Sequence, residues 1–271
     1  MKRNYLNTFL IVTLATLFAN NLYGQGAYFN INAGYGLMMS SGNLPYFYSE
    51  TRSGNSNTLK QVNLSLGKGV NFGGAFGYMF NKNIGAELGV SYLLGGKSKS
   101  QFIYQGGKTD YTLSAKMLRI NPSIVVESGL NGINPYAKIG LIIGTGSVTD
   151  EIMDNGGGDI LRVLVKMNGG IAIGGNAGFG VLFDISKRIS FISEINMTNL
   201  SYAPTKGKVT KATYNGMDVL SDMTTSEKEI EFVDSYTESN TPPPDSQPSK
   251  DLKSKLPFGS IGINLGMRFS F

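Results

Sequence analysis

The sequence predicts an all-β chain: a closed antiparallel up-and-down transmembrane β-barrel of eight strands, preceded by a cleavable signal peptide. Three observations predict it. Apolar residues alternate with small or polar ones through eight separate segments, the two-residue period of a strand with unlike faces. The connections between those segments alternate long and short, as in a barrel with tight turns at one rim and long loops at the other. The apolar face of each segment is free of charge, and the charges gather on the opposite face.

Composition agrees with one barrel. The 271 residues include 36 glycines and no Cys, Trp or His, and 16% are charged. Glycine suits a sheet that bends and packs closely on one face, and so low a charge density argues against a disordered chain. Without Cys there is no disulfide framework and no lipid-anchored thiol. The formal net charge of +5 falls to +3 when Lys2 and Arg3 are removed, because the first 24 residues hold no acid. A weak, scattered positive charge does not suggest a nucleic-acid partner.

Residues 1–24 read as the signal peptide. Lys2 and Arg3 precede an apolar stretch from Phe9 to Ala19, and cleavage is expected after Gly24. That stretch is too short to span a bilayer as a helix, and no later segment reaches the roughly 18 apolar residues such a helix needs. Residues 25–271 are then the barrel, with a long exposed loop at 204–256.

The first strand sets Phe29, Ile31, Ala33, Tyr35, Leu37 and Met39 against Asn30, Asn32, Gly34 and Gly36. In the second, Val70, Phe72, Phe76, Tyr78 and Phe80 oppose Asn71, Gly73, Ala75 and Gly77, and the same parity runs back through Val62, Leu64 and Leu66. The third opposes Ile84, Ala86, Leu88, Val90, Tyr92 and Leu94 to Gly85, Glu87, Gly89 and Ser91. In the fourth, Leu118, Ile120, Pro122, Ile124 and Val126 oppose Arg119, Asn121, Ser123 and Glu127. Upstream the parity of Leu113, Ala115 and Met117 is reversed, which predicts a bulge near Met117.

The fifth strand carries Ala137, Ile139, Leu141 and Ile143 against Tyr136, Lys138, Gly140 and Gly144. The sixth carries Ile171, Ile173, Ala177, Phe179, Val181 and Phe183 against Ala172, Gly174, Asn176 and Gly178, with its parity extending back through Leu161 to Met167. The seventh opposes Ile189, Phe191, Ile195 and Met197 to Ser190, Glu194, Asn196 and Thr198. The eighth opposes Ile261, Ile263, Leu265, Met267, Phe269 and Phe271 to Gly262, Asn264, Gly266, Arg268 and Ser270.

Long connections fall at 40–58, 95–110, 149–160 and 204–256, and short ones at 81–83, 128–134 and 184–188. In outer-membrane barrels the short turns are periplasmic and the long loops external. Both termini are therefore expected on the periplasmic side. Within the last loop, Asn215-Gly216 predicts a hairpin tip, and the acidic, proline-interrupted stretch from Ser226 to Asp251 predicts a flexible segment.

A Lys or Arg facing hydrocarbon costs about 2–4 kcal/mol at mid-depth, so the charge-free face should be outside. The inward candidates are Glu87, Arg119, Glu127, Lys138, Glu194 and Arg268. Three acids against three bases predict an ion-paired interior, because an unpaired charge in a dry core is heavily penalised. Aromatics near the strand ends (Phe29, Tyr78, Phe80, Tyr136, Phe183, Phe191, Phe269 and Phe271) suggest an interfacial girdle.

Catalysis has little to stand on. No cofactor or metal ligand set is present, and there is no histidine, the side chain that titrates near neutrality. Gly156-Gly157-Gly158 lacks the ending of a phosphate loop. A non-enzymatic protein is expected.

The terminal aromatics Phe269 and Phe271 on an alternating last strand resemble the signal read by the barrel-insertion machinery. Leu118 to Val126 (LRINPSIVV), Asn134 to Gly144 (NPYAKIGLIIG) and Gly178 to Met197 resemble the small outer-membrane β-barrel family of Bacteroidetes-type bacteria. That resemblance implies eight strands in the outer membrane of a Gram-negative cell. Lipid, lipopolysaccharide and the insertion machinery are then the expected partners, with a further envelope or extracellular protein bound through the loops. The expected role is envelope-structural or surface-interacting; a narrow passive channel for ions or small solutes is the alternative.

Overall fold

The computed structural model describes residues 26–39, 47–237 and 244–271. The expected signal peptide lies outside the described residues, as do residues 40–46 of the first long loop. The strands are β1 (Gly26–Met38), β2 (Tyr48–Ser53), β3 (Ser56–Gln61), β4 (Gly69–Met79), β5 (Ile84–Gly95) and β6 (Ser98–Tyr104). There follow β7 (Gly107–Glu127), β8 (Ile133–Gly156), β9 (Asp159–Asn168), β10 (Ala172–Asp184), β11 (Ile189–Tyr202) and β12 (Lys206–Tyr214). The last are β13 (Met217–Asp218), β14 (Glu229–Val233), β15 (Ser249–Leu252), β16 (Leu256–Pro257) and β17 (Ser260–Ser270). One helical turn, α1 (Thr225–Lys228), is held by a capping box between Thr224 and Glu227.

Eight of these strands form a closed ring. β1 pairs with β4, β4 with β5, β5 with β7, β7 with β8, β8 with β10, β10 with β11, β11 with β17, and β17 with β1, every pair antiparallel. Sequence neighbours are ladder neighbours throughout, and the ring has no free edge to aggregate.

The apolar rows point away from the ring. Ile31, Phe72, Leu88, Ile124, Ile139, Phe179, Ile195 and Ile263, one from each strand, are 45–67% exposed. Leaving one such side chain in water forgoes about 1.5–3 kcal/mol. A belt of them running round the molecule far exceeds the few hundred Å² of contiguous apolar surface that water-soluble monomers tolerate. The outward run of β5, Ile84 to Leu94, has the length a tilted spanning strand requires, about 9–11 residues.

The interior is layered, and β7 samples every layer. Its residues 113, 115 and 117 lie in an apolar plug at the loop end; Arg119, Asn121 and Ser123 line a polar cavity; Val125 and Glu127 reach the turn end. The expected bulge near Met117 is absent. β7 keeps one register with β5 from Lys116 to Val126, and Met117 sits opposite Gly146 of β8 in the ladder that continues below it. The apolar parity reverses because the surroundings change and the pleat does not. Below Met117 the outside is apolar; above it the inside is.

The plug also corrects the reading of residues 62–68 as an extension of the second strand. They are not strand. Leu64 and Leu66 are fully buried and cluster with Met117, Ile142, Leu200, Tyr202 and Phe258. The Leu66 amide donates to the Pro257 carbonyl at 2.9 Å, and the Ser65 hydroxyl bonds the Gly259 carbonyl. The expected upstream extension of the sixth strand is likewise a separate strand. β9 folds back on β8 and is divided from β10 by Gly169 and Gly170, both at positive φ (79° and 76°).

Beyond the ring the long connections are pleated. β8 and β9 form a projecting hairpin, β12 joins its outer edge, and β14 adds to β12. Asn215 (φ 49°) and Gly216 (φ 83°) make the expected hairpin tip. The stretch expected to be flexible, 226–251, contains α1 and a parallel pair of β14 with β15 among its described residues. Local composition there is outweighed by the edge that β12 offers.

Candidate functional site

Inward residues of neighbouring strands meet in a charged layer near the turn end. Lys138 of β8 lies between two carboxylates, its Nζ 2.7 Å from Glu194 Oε2 and 3.5 Å from Glu87 Oε1. Glu87 also accepts from Asn30 Nδ2 at 2.7 Å and from the Tyr28 hydroxyl at 3.3 Å. Glu194 accepts from the Tyr136 hydroxyl at 2.8 Å and from Asn264 Nδ2 at 3.0 Å. Arg268 of β17 pairs with Glu127, donates from Nε to Asn30 Oδ1 at 3.1 Å, and stacks on the Tyr28 ring.

Close approach of two glycines makes room for the rings. A Cβ on Gly77 would lie 2.1 Å from the Tyr28 ring, and one on Gly180 would lie 2.7 Å from the Tyr136 ring. These two inward glycines are therefore seats for buried tyrosines.

Five of the six sequence-predicted charges are brought together in these pairs. Arg119 is the exception and corrects the expectation of complete pairing. It is 6% exposed, its Nε and Nη2 have no hydrogen-bond partner, and it enters no ion pair among the described residues. β7 holds it above the level of Glu127, with Ser91 of β5 on one side and Gly144 of β8 on the other.

Tyr136, assigned by its position to the interfacial girdle, is 5% exposed and faces inward. Strand parity had already set it beside Lys138, and parity prevails over mere nearness to a strand end. Phe183 and Phe191, 6.3 Å apart, do share the outward face at the turn end. Tyr28, Asn30 and Asn264 belong to the charged layer although no sequence motif marks them; only their parity with Arg268 and Glu87 could have pointed to them.

Between the charged layer and the plug lies a cavity of about 70 Å³ lined by Arg119, Asn32, Asn71, Asn121, Asn176 and Asn264, among others. Above the ring, two cross-strand rows carry cations on the outward face. One runs Lys116, Ser147, Asn168, Lys206; the other runs Ser114, Thr149, Lys166, Lys208. Lys116 is the ladder partner of Leu94, at the upper margin of the apolar belt.

A closed ring of antiparallel strands with an oily exterior and a polar, ion-paired lumen defines an outer-membrane β-barrel. The sequence model of the outer membrane protein beta-barrel domain matches residues 9–219, and the chain belongs to that family. Membership indicates the bacterial outer membrane. No curated protein matches the chain. Among solved structures it is similar to the neisserial surface protein A crystal structure, at 12% identity, TM-score 0.39, covering 92% of this chain and 99% of that one. It is also similar to the solution structure of Escherichia coli outer membrane protein W, at 11% identity, TM-score 0.33, covering 92% and 100%. A third is Acinetobacter baumannii CarO2, at 16% identity, TM-score 0.28, covering 89% and 98%. These superpositions are loose, and the family assignment stands on the sequence match.

Proposed function

We propose that the chain is an eight-stranded transmembrane barrel with a closed, side-chain-filled interior. Both termini are periplasmic, and its loop-end hairpins serve an envelope-structural or surface-interaction role without catalysis. The observation that carries this reading is the double obstruction of the lumen. The Glu87–Lys138–Glu194 bridge and the Arg268–Glu127 pair cross it near one end, and Leu64, Leu66, Met117, Tyr202 and Phe258 fill the other. Eight strands leave an interior that side chains can fill, whereas the 16–18-stranded porins leave an aqueous channel.

The outer rim supports contact with lipopolysaccharide. Lys166 and Lys208 are directly opposed across a ladder, an arrangement that like charges disfavour unless an anion lies between them. Glu229 answers Lys208 alone, at 2.8 Å. Lys116 and Lys206 extend the cationic surface down to the apolar belt, the level of lipid phosphates. At the opposite end, the exposed ring of Phe271 and the half-buried ring of Phe269 are available to the insertion machinery before closure.

The second reading is a narrow passive channel, favoured by the asparagine-lined cavity between the two obstructions. Planar-bilayer recording of the purified chain separates the two. The closed lumen gives a flat current, and Phe258→Ala with Leu66→Ala should leave it flat, because the charged layer still crosses the other end. Reproducible openings of the wild-type protein would contradict it.

A further inference from the structure

We propose that the lumen binds a small monovalent inorganic anion of the halide class on the guanidinium of Arg119. The observation is the unmet half of the interior's polar chemistry. Arg119 is 6% exposed, yet among the described residues Nε and Nη2 have no acceptor and no carboxylate forms an ion pair with it. A buried charged donor without an acceptor bears the whole desolvation penalty, and uncompensated buried charges cost several kcal/mol (about 3–5).

The nearby carboxylates are committed elsewhere. Glu87 lines the same cavity, but its oxygens are taken by Lys138, Asn30 and Tyr28. Three acids and three bases make the lumen formally neutral, but that balance is remote. It does not supply an acceptor at the roughly 2.7–3.2 Å that an N–H donor requires.

Space and donors are both present. The cavity of about 70 Å³ exceeds the roughly 10–15 Å³ that admits a single water. Asn32, Asn71 and Asn121 also line it, and their side chains make no hydrogen bond to another described residue. Each of these amides can turn an N–H inward, so that with the guanidinium fork they can line the pocket with donors. Gly89, opposite Asn121 in its ladder, lines the cavity and adds no side chain to fill it. One unpaired guanidinium matches one negative charge locally; a divalent anion would leave a second charge beside it without a partner. A halide ion meets both the charge and the volume.

Bromide is the probe. Crystals of the full chain grown in sodium bromide should show an anomalous peak within hydrogen-bonding distance of Arg119. In solution at constant ionic strength, replacing gluconate by bromide should raise the wild-type unfolding midpoint along a saturating curve. Arg119→Met should abolish that response. Ordered density without anomalous signal, which is water alone, would overturn the proposal, as would an equal bromide response in Arg119→Met. Should the variant fail to fold, the wild-type anomalous map decides. Neither measurement reads conductance, so the anion site and the closed lumen stand or fall separately.

Discussion

The guanidinium carbon of Arg268 lies 3.9 Å from the centroid of the Tyr28 ring, so that a cation from the last strand stacks on an aromatic of the first across the seam that closes the ring. The same guanidinium pairs with Glu127 of β7, tying the seam to the opposite wall. Removing the base alone strands a buried carboxylate. Arg268→Met is expected to destabilise by about 3–5 kcal/mol. Combining it with Glu127→Leu should recover most of that loss, because the unpaired charge is gone. Urea unfolding in lipid vesicles, read by circular dichroism, measures both.

Gly77 tests the seating of that ring. Its missing Cβ would lie 2.1 Å from Tyr28, so Gly77→Ala overpacks the lumen and should cost about 1–3 kcal/mol. Gly175, which has nothing within 4 Å of an added Cβ, is the control. Gly175→Ala should fall within about 0.5 kcal/mol of wild type. Equal effects at the two positions would contradict the ring-seat reading.

The ring of strands and the identity of the lumen charges were legible in the sequence because a two-residue period fixes facing without any knowledge of partners. Glu87, Lys138, Glu194, Glu127 and Arg268 all fell on the correct face for that reason. The plug was not legible. Leu64 and Leu66 have strand parity, and nothing local reveals that they fold over the lumen against Phe258, nearly two hundred residues away. The reversal at Met117 was the one visible sign, and it marked a change of surroundings within an unbroken pleat. Arg119 was placed correctly but its lack of a partner was not, since pairing depends on reach between strands and a charge count does not contain it.

Asp150, above the apolar belt, supplies a pH dependence. It faces Leu113 and Val165 in its ladders, its Oδ1 has no hydrogen-bond partner among the described residues, and burial pushes its carboxyl up to about 6. The folded chain therefore holds this proton more tightly than the unfolded chain, whose carboxyl titrates near 3.9. The resulting stabilisation is complete below that range and disappears as pH rises through about 6. Asp150→Asn should accordingly raise the thermal midpoint at pH 7.5 and leave it nearly unchanged at pH 3.5. An equal shift at both values would show that titration is not the cause.

The lysine rows make a prediction about lipid. Lys116→Glu with Lys166→Glu should reduce the lipopolysaccharide that co-purifies with the protein, and added salt should weaken what remains. Phosphate analysis of detergent-purified material reads the amount. Unchanged phosphate in the double variant would remove these rows from any lipid contact.

The inside-out arrangement of the chain is tested most directly by fluorescence at single introduced cysteines, for which the native chain offers no competing thiol. Bimane at Ile139→Cys and Leu265→Cys, both on the exposed apolar rows, should be quenched by brominated lipid tails and ignored by aqueous iodide once the protein is in vesicles. Efficient iodide quenching with no effect of brominated lipid would contradict it.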